Sequence, residues 1–279
     1  FSNGRSVTVT PGHPIFVDGG GEVGTVDAAE ISAGDFVPAP RKLPNSAAPM
    51  PLADEEHRGK ERDVDLPEEM SPKLAEVLGF LTAEGHSYSG GRTHEIGFSN
   101  QDERLLDRMD TLMTRVFGME STDVTNAAGT VTQRWVSTKL YRWFERNFPE
   151  VMHTAREKRI PAAVLGASEE SIRRFLVGAF AGDGGVESEA MSYTTASEGL
   201  AEDYADALSK IGVASRIHYD IAEDSWKVYV MGDSTARFVD AVLEPADERY
   251  DDAVAFADRS VDTPRHHDVL PPSAAEELR

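Results

Sequence analysis

The chain contains no cysteine, which removes disulfides, thiolate metal sites and cysteine nucleophiles together and leaves oxygen and imidazole as metal donors. Hard cations such as Mg²⁺ therefore head the list of candidate metals. Lysine is scarce: seven of the 28 basic residues are lysines, against 49 carboxylates, and the net charge is −21. No apolar run approaches the roughly 20 residues of a membrane span, and Phe1 to Gly4 lack the order of a signal peptide. The chain is read as a soluble, cytoplasmic protein with no membrane partner. An initiating methionine is missing too, and a strand-like run, Val7 to Thr10, follows a turn-like Ser2-Asn3-Gly4, as expected of a fragment of something longer. So acidic a balance argues against a nucleic-acid partner, because affinity for phosphate comes largely from Lys and Arg. High salt reverses that argument: at about 1 M ionic strength the Debye length is roughly 3 Å, so local contacts decide and global charge does not.

What is present is length and pattern. The 279 residues, 40% of them hydrophobic, suffice for one large core or two smaller ones. Residues 6 to 17 alternate as a strand does, and Gly19 to Gly21 turn the chain into Val23 to Val26, so residues 1–41 form a small β unit. Residues 42–70 are rich in Pro, Ala and charge with little periodicity, which predicts a linker or surface loop. Ser71 then offers an N-cap hydroxyl and Pro72 a first helical residue, followed by Leu74, Val77, Leu78 and Leu81 at helical spacing. This helix is expected to end at Glu84, with Gly85 as its cap.

A second copy starts near Ser168, with Ile172, Phe175, Leu176 and Ala179 on one face and an end at Asp183, capped by Gly184. The two ends lie ninety-nine residues apart. Similar elements follow each: a strand (His94 to Ser99, Glu187 to Thr194), a helix (Asp102 to Phe117, Glu198 to Ile211), paired strands (Thr122 to Val136, Ser215 to Met231) and a closing helix (Thr138 to Asn147, Ser234 to Leu243). A repeat at one fixed offset outweighs any single motif. The fold class is α+β, with repeats at 71–150 and 160–250 in a domain spanning 71–250, and a return segment at 251–279. A pseudo-twofold protein suits a pseudo-twofold ligand such as duplex DNA.

The repeated helices read VLGFLTAEG and LVGAFAGDG. Gly79 and Gly178, with Ala83 and Gly182 further along, leave small patches where two helix backbones approach closely. Glu84 and Asp183 would then lie side by side at the negative ends of two helix dipoles, an unfavourable arrangement that a divalent cation neutralises. Such a centre fits phosphodiester hydrolysis.

Both segments resemble the LAGLIDADG (DOD-type) motif of homing endonucleases, with Glu84 and Asp183 at the acidic metal-ligand position. Thr82 and Glu84 replace the two aspartates of the name-giving pattern, and Ala181 and Gly182 precede Asp183. Lys158-Arg159-Ile160-Pro161 is also similar to intein-borne members. The resemblance implies two αββαββα repeats forming a DNA-binding saddle, double-strand cleavage of a long specific site with Mg²⁺, and action as a monomer. It implies strands on which Arg92, Arg134, Arg216 and Lys227 meet DNA, and a lysine near the metal's water: Lys227 is the candidate, Lys139 a weaker second. Thr10-Pro11-Gly12-His13 resembles the Thr-x-x-His block of inteins, where Thr10 and His13 would activate a splice-site peptide bond, so residues 1–41 read as a partial Hint splicing segment whose exteins belong to a host protein. Phe1 is no nucleophile and no His-Asn end is present, so this stretch is not expected to splice alone; His267 to Pro271 look like the return toward the splicing domain. The lysine-poor, acidic composition resembles that of salt-loving archaea. Two alternatives stay open: an endonuclease decayed within a splicing intein, and a LAGLIDADG fold that binds nucleic acid without cutting it. The other histidines lack metal-ligand spacing.

Overall fold

A computed structural model describes residues 1–260 apart from Gly21, Ala47 and Glu189; the segment His267 to Pro271 lies outside the described residues. Both repeats run in the order αββαββα. The first comprises α1 (Pro72–Glu84), β3 (Gly85–Gly90), β4 (Thr93–Asn100), α2 (Glu103–Phe117), β5 (Thr122–Thr125), β6 (Val131–Val136) and α3 (Thr138–Asn147). A single-turn helix, α4 (Ala162–Leu165), leads into the second: α5 (Glu169–Asp183), β7 (Gly184–Val186), β8 (Met191–Thr195), α6 (Glu198–Lys210), β9 (Ser215–Asp220), β10 (Ser225–Val230) and α7 (Thr235–Val242), with α8 (Tyr250–Ser260) behind it. Ahead of them β1 (Pro14–Asp18) and β2 (Val23–Asp27) pair as an antiparallel hairpin.

The two four-stranded sheets are antiparallel and have the same order, β3-β4-β6-β5 and β7-β8-β10-β9. Helix starts follow local chemistry. Ser71, Asp102, Ser137, Ser168 and Ser197 each cap a helix by accepting a hydrogen bond from a backbone N–H of the first turn, worth about 1 kcal/mol apiece. Pro72 occupies the first turn of α1, where its missing N–H costs nothing.

Each sheet packs one face on its helices. Ile96, Phe98, Gln133 and Trp135 point inward and are buried in the first sheet, as are Met191, Tyr193, Ile217, Val228 and Val230 in the second. Edge-to-face contacts among Phe117, Trp143, Phe144 and Phe148 fill the first core, and Tyr193 stacks on Tyr204 at 4.0 Å in the second. Alternation then turns His86, Tyr88, Arg134 and Thr122 of one sheet, and Ser192, Lys227, Tyr229 and Arg216 of the other, to the opposite faces.

Helices α1 and α5 join the repeats, and glycine makes the join. A Cβ on Gly79 would lie 2.9 Å from the Ala179 nitrogen, and one on Gly178 would lie 2.9 Å from the Phe80 nitrogen. A Cβ on Gly182 would meet that of Ala83 at 2.6 Å.

One expectation changes and two gain detail. Gly85 and Gly184 cap the helices as expected, but in an extended conformation, with φ of −81° and −82°, and each opens a strand, β3 and β7, that the sequence reading lacked. Glycine is needed there because a Cβ would run into the preceding helical turn, 2.5 Å from the Leu81 Cα at Gly85 and against Phe180 at Gly184. The first strand begins at Pro14 rather than residue 6, since Pro11 and Pro14 lack donors and Thr10 to His13 form a turn closed by His13 N–H donating to the Thr10 carbonyl at 3.0 Å. The described residues of 42–70 hold no helix or strand, as a loop would, and are pinned along both repeats: Lys42 bonds Glu169, Leu43 N–H bonds the Ser209 carbonyl, Arg142 grips Glu55 and Glu61, and Val64 and Met70 enter the core.

Alanine ordinarily gains about 1 kcal/mol over glycine inside a helix, yet at the helix crossing overpacking wins. Gly79→Ala and Gly178→Ala are each expected to lower unfolding free energy by about 1–3 kcal/mol in denaturant titrations, while Gly24→Ala, whose Cβ would meet nothing within 4 Å, should stay near the parent.

Candidate metal centre and nucleic-acid interface

Glu84 and Asp183 are the last residues of α1 and α5, and the crossing that Gly79 and Gly178 permit sets the two helix ends side by side, with the Glu84 Cγ 3.2 Å from where a Cβ on Gly182 would stand. The charge of Glu84 bears on Asp183: burial first, then repulsion from Glu84, pushes the Asp183 carboxyl up to about 6. The Tyr193 hydroxyl donates to Asp183 Oδ2 at 3.4 Å; the corresponding residue of the first sheet, at the same register against the helix-end glycine, is Phe98. The two ends are therefore chemically unequal, a longer acid without a hydroxyl partner among the described residues and a shorter acid with one.

Two cations that sequence reasoning did not assign to the site hold the helix ends. Lys158 is 5% exposed, and its Nζ donates to the carbonyls of Leu81 (2.8 Å), Thr82 (3.0 Å) and Gly85 (2.8 Å). Arg249 does the same for α5, donating from Nη1 to the carbonyls of Phe180 (3.2 Å) and Gly184 (2.7 Å), with Asp247 fixing its other nitrogens. Each places positive charge at the negative end of a helix dipole. Burial lowers the Lys158 ammonium to about 8 against the pull of Asp183 and Glu84. Its place in Lys158-Arg159-Ile160-Pro161 was a signal for it; Arg249 follows α7 with no spacing that would have marked it.

The other sequence candidates are spread over the outer faces. Lys227 projects from β10, where Asp220 (3.2 Å) and Glu223 (2.9 Å) hold its ammonium and raise its pKa; the lysine whose charge bears on both helix-end acids is Lys158. Lys139 bonds Asp63 and the Val64 carbonyl. Arg134 pairs with Glu95, whereas Arg92 and Arg216 are exposed. His86 lies near Glu95, Lys158 and Arg134, and burial lowers its pKa. Thr10 and His13 are exposed at the turn before β1.

Among the described residues no cluster of three or more His, Asp or Glu forms a metal cage. Two carboxylates suit a hard cation that keeps waters and takes its remaining ligands from a substrate phosphate, as Mg²⁺ does.

The LAGLIDADG-like domain model matches residues 71–149 and 170–242, more than half of the chain, and the chain belongs to that family. Among curated relatives, an A-type ATP synthase subunit of Pyrococcus abyssi is 27% identical over 83% of this chain and 23% of that protein. The replication factor C small subunit of Methanocaldococcus jannaschii is 26% identical over 81% of this chain and 11% of its own length. The chain thus spans less than a quarter of the length of these relatives. The homing endonuclease I-DmoI in complex with DNA and Mn shares the fold at a TM-score of 0.50 and 17% identity, covering 63% of this chain and 98% of that one. A structure of an I-DmoI variant with its target DNA in the presence of Mg gives the same score over 63% and 97%.

A raised carboxyl pKa stabilises the fold while protonated, so the Asp183 contribution is present below its unfolded value near 3.8 and is lost as pH rises through about 6. In EDTA the melting temperature of the parent relative to Asp183→Asn is expected to fall between pH 4 and 7, and a divalent cation should remove that fall. A difference independent of pH would show that Asp183 is not buried beside a second carboxylate.

Proposed function

We propose that the chain is a site-specific endonuclease that cuts both strands of duplex DNA with a divalent cation, Mg²⁺ first, and that it is carried by an intein. The observation that carries this reading is the convergence of two helix-end carboxylates between two antiparallel sheets of identical order, a pseudo-twofold centre matched to a duplex. Glu84 and Asp183 bind the cation, which supplies Lewis-acid charge for phosphodiester hydrolysis. Lys158 adds buried positive charge beside both carboxylates. Arg92, Arg134, Arg216 and Lys227 face the DNA; Lys227 reaches a phosphate by exchanging it for Asp220 and Glu223. Since one chain carries both repeats, a monomer suffices.

The intein reading is supported by the relatives, which are named for unrelated activities while sharing the same stretch with this chain over a small part of their length. Such a stretch behaves as a module inserted into different hosts. Thr10 and His13 are the splicing block, and the exteins are the rest of the host. The charge of −21 points to a salt-rich archaeal cytoplasm, where screening leaves local cations in command.

Plasmids carrying candidate host genes without the insertion test this in high KCl. Linearisation is expected with Mg²⁺ or Mn²⁺, none in EDTA, and none with Asp183→Asn. Tight, sequence-specific binding by the parent without cutting in any divalent cation would contradict the endonuclease reading and favour a binding role.

A further inference from the structure

We infer that Arg134 reads a guanine in one half of the DNA site and that Glu95 is the positioning residue that presents it. This rests on the DNA-binding part of the function proposed above and adds which side chain reads which base.

Arg134 lies on β6, an interior strand, on the face turned away from the helices; its neighbours Gln133 and Trp135 point inward and are buried. Its Nε donates to Glu95 Oε2 at 3.0 Å and its Nη2 to the same oxygen. The Glu95 side chain is 8% exposed and that of Arg134 34%. A buried acid thus grips one edge of a half-exposed guanidinium, fixing its plane and leaving Nη1 and the outer hydrogen of Nη2 unspent among the described residues. Two N–H groups directed along one edge match the O6 and N7 acceptors that guanine shows in the major groove. An ammonium lacks that fork.

The register places His86, Gly97, Arg134 and Thr122 in one row across the sheet. Gly97 leaves its place to the His86 ring, which a Cβ there would strike, so the imidazole lies between Arg134 and the strand that leaves Glu84. At about 4.8 Å per strand, Arg134 lies roughly 10 Å along the row from His86, about three base-pair rises of 3.4 Å. The corresponding row of the second sheet is Gly185, Ser192, Tyr229 and Arg216. There the interior strand carries Tyr229, and Arg216 stands on the edge strand without an ion pair among the described residues. The buttressed arginine exists in one repeat, so its guanine belongs to one half-site and the target is not palindromic at that position.

The test selects duplexes from a randomised library with the full chain in EDTA, comparing the parent, Arg134→Lys, Glu95→Gln and, as a control, Arg216→Lys, with melting curves for each. The parent is expected to enrich guanine at one position, a few base pairs from the centre of one half-site. Arg134→Lys should lose about tenfold of that preference and keep the others; Glu95→Gln, which retains the arginine, should weaken the same position and carries the test if Arg134→Lys does not fold. Unchanged preferences in folded variants would overturn the assignment and leave DNA binding intact. A parent that enriches no sequence would overturn the DNA reading, and this assignment with it.

Discussion

The contact on which the rest of the molecule depends is the backbone crossing of α1 and α5. Two helices packed through ordinary side chains keep their axes 8–10 Å apart, which would hold carboxylates at their ends on opposite sides of the seam. Gly79, Gly178 and Gly182 remove the side chains from that seam. The same crossing sets the sheets, because β3 and β7 begin at the residues after Glu84 and Asp183. One constraint thus fixes the distance between the acids and the place of both outer faces.

Charge is balanced around that seam in layers. Lys158 and Arg249 take up the exposed carbonyls of the two helix ends, so the dipoles are answered by protein groups. Among the described residues neither helix-end carboxylate has a salt-bridge partner, and burial first, then repulsion from Glu84, holds Asp183 up near 6. On the sheets the pattern is opposite: Arg134 is paired with Glu95, and Lys227 with Asp220 and Glu223.

The repeat, its helices and its two acids were legible because helical periodicity and a fixed offset report on packing directly, and α3 begins and ends where its pattern predicted. The strands β3 and β7 were not, since a glycine after a helix reads equally as a stop; only the closeness of Leu81 and Phe180 distinguishes a crowded junction from a left-handed cap. The helix-end cations were hidden for a different reason. Lys158 lies 73 residues from the Gly85 carbonyl it bonds, and Arg249 lies 65 from that of Gly184, so no local spacing encodes either contact. Residues 42–70 looked like a linker because their bonds are to distant helices, which composition does not record.

Crystals of the full chain grown with Mn²⁺ and imaged by anomalous scattering test the central claim most directly. The account predicts an anomalous peak between the ends of α1 and α5, within coordination distance of oxygens from both Glu84 and Asp183, and its loss in Asp183→Asn. Peaks confined to other acidic clusters, with the two carboxylates turned apart, would contradict it.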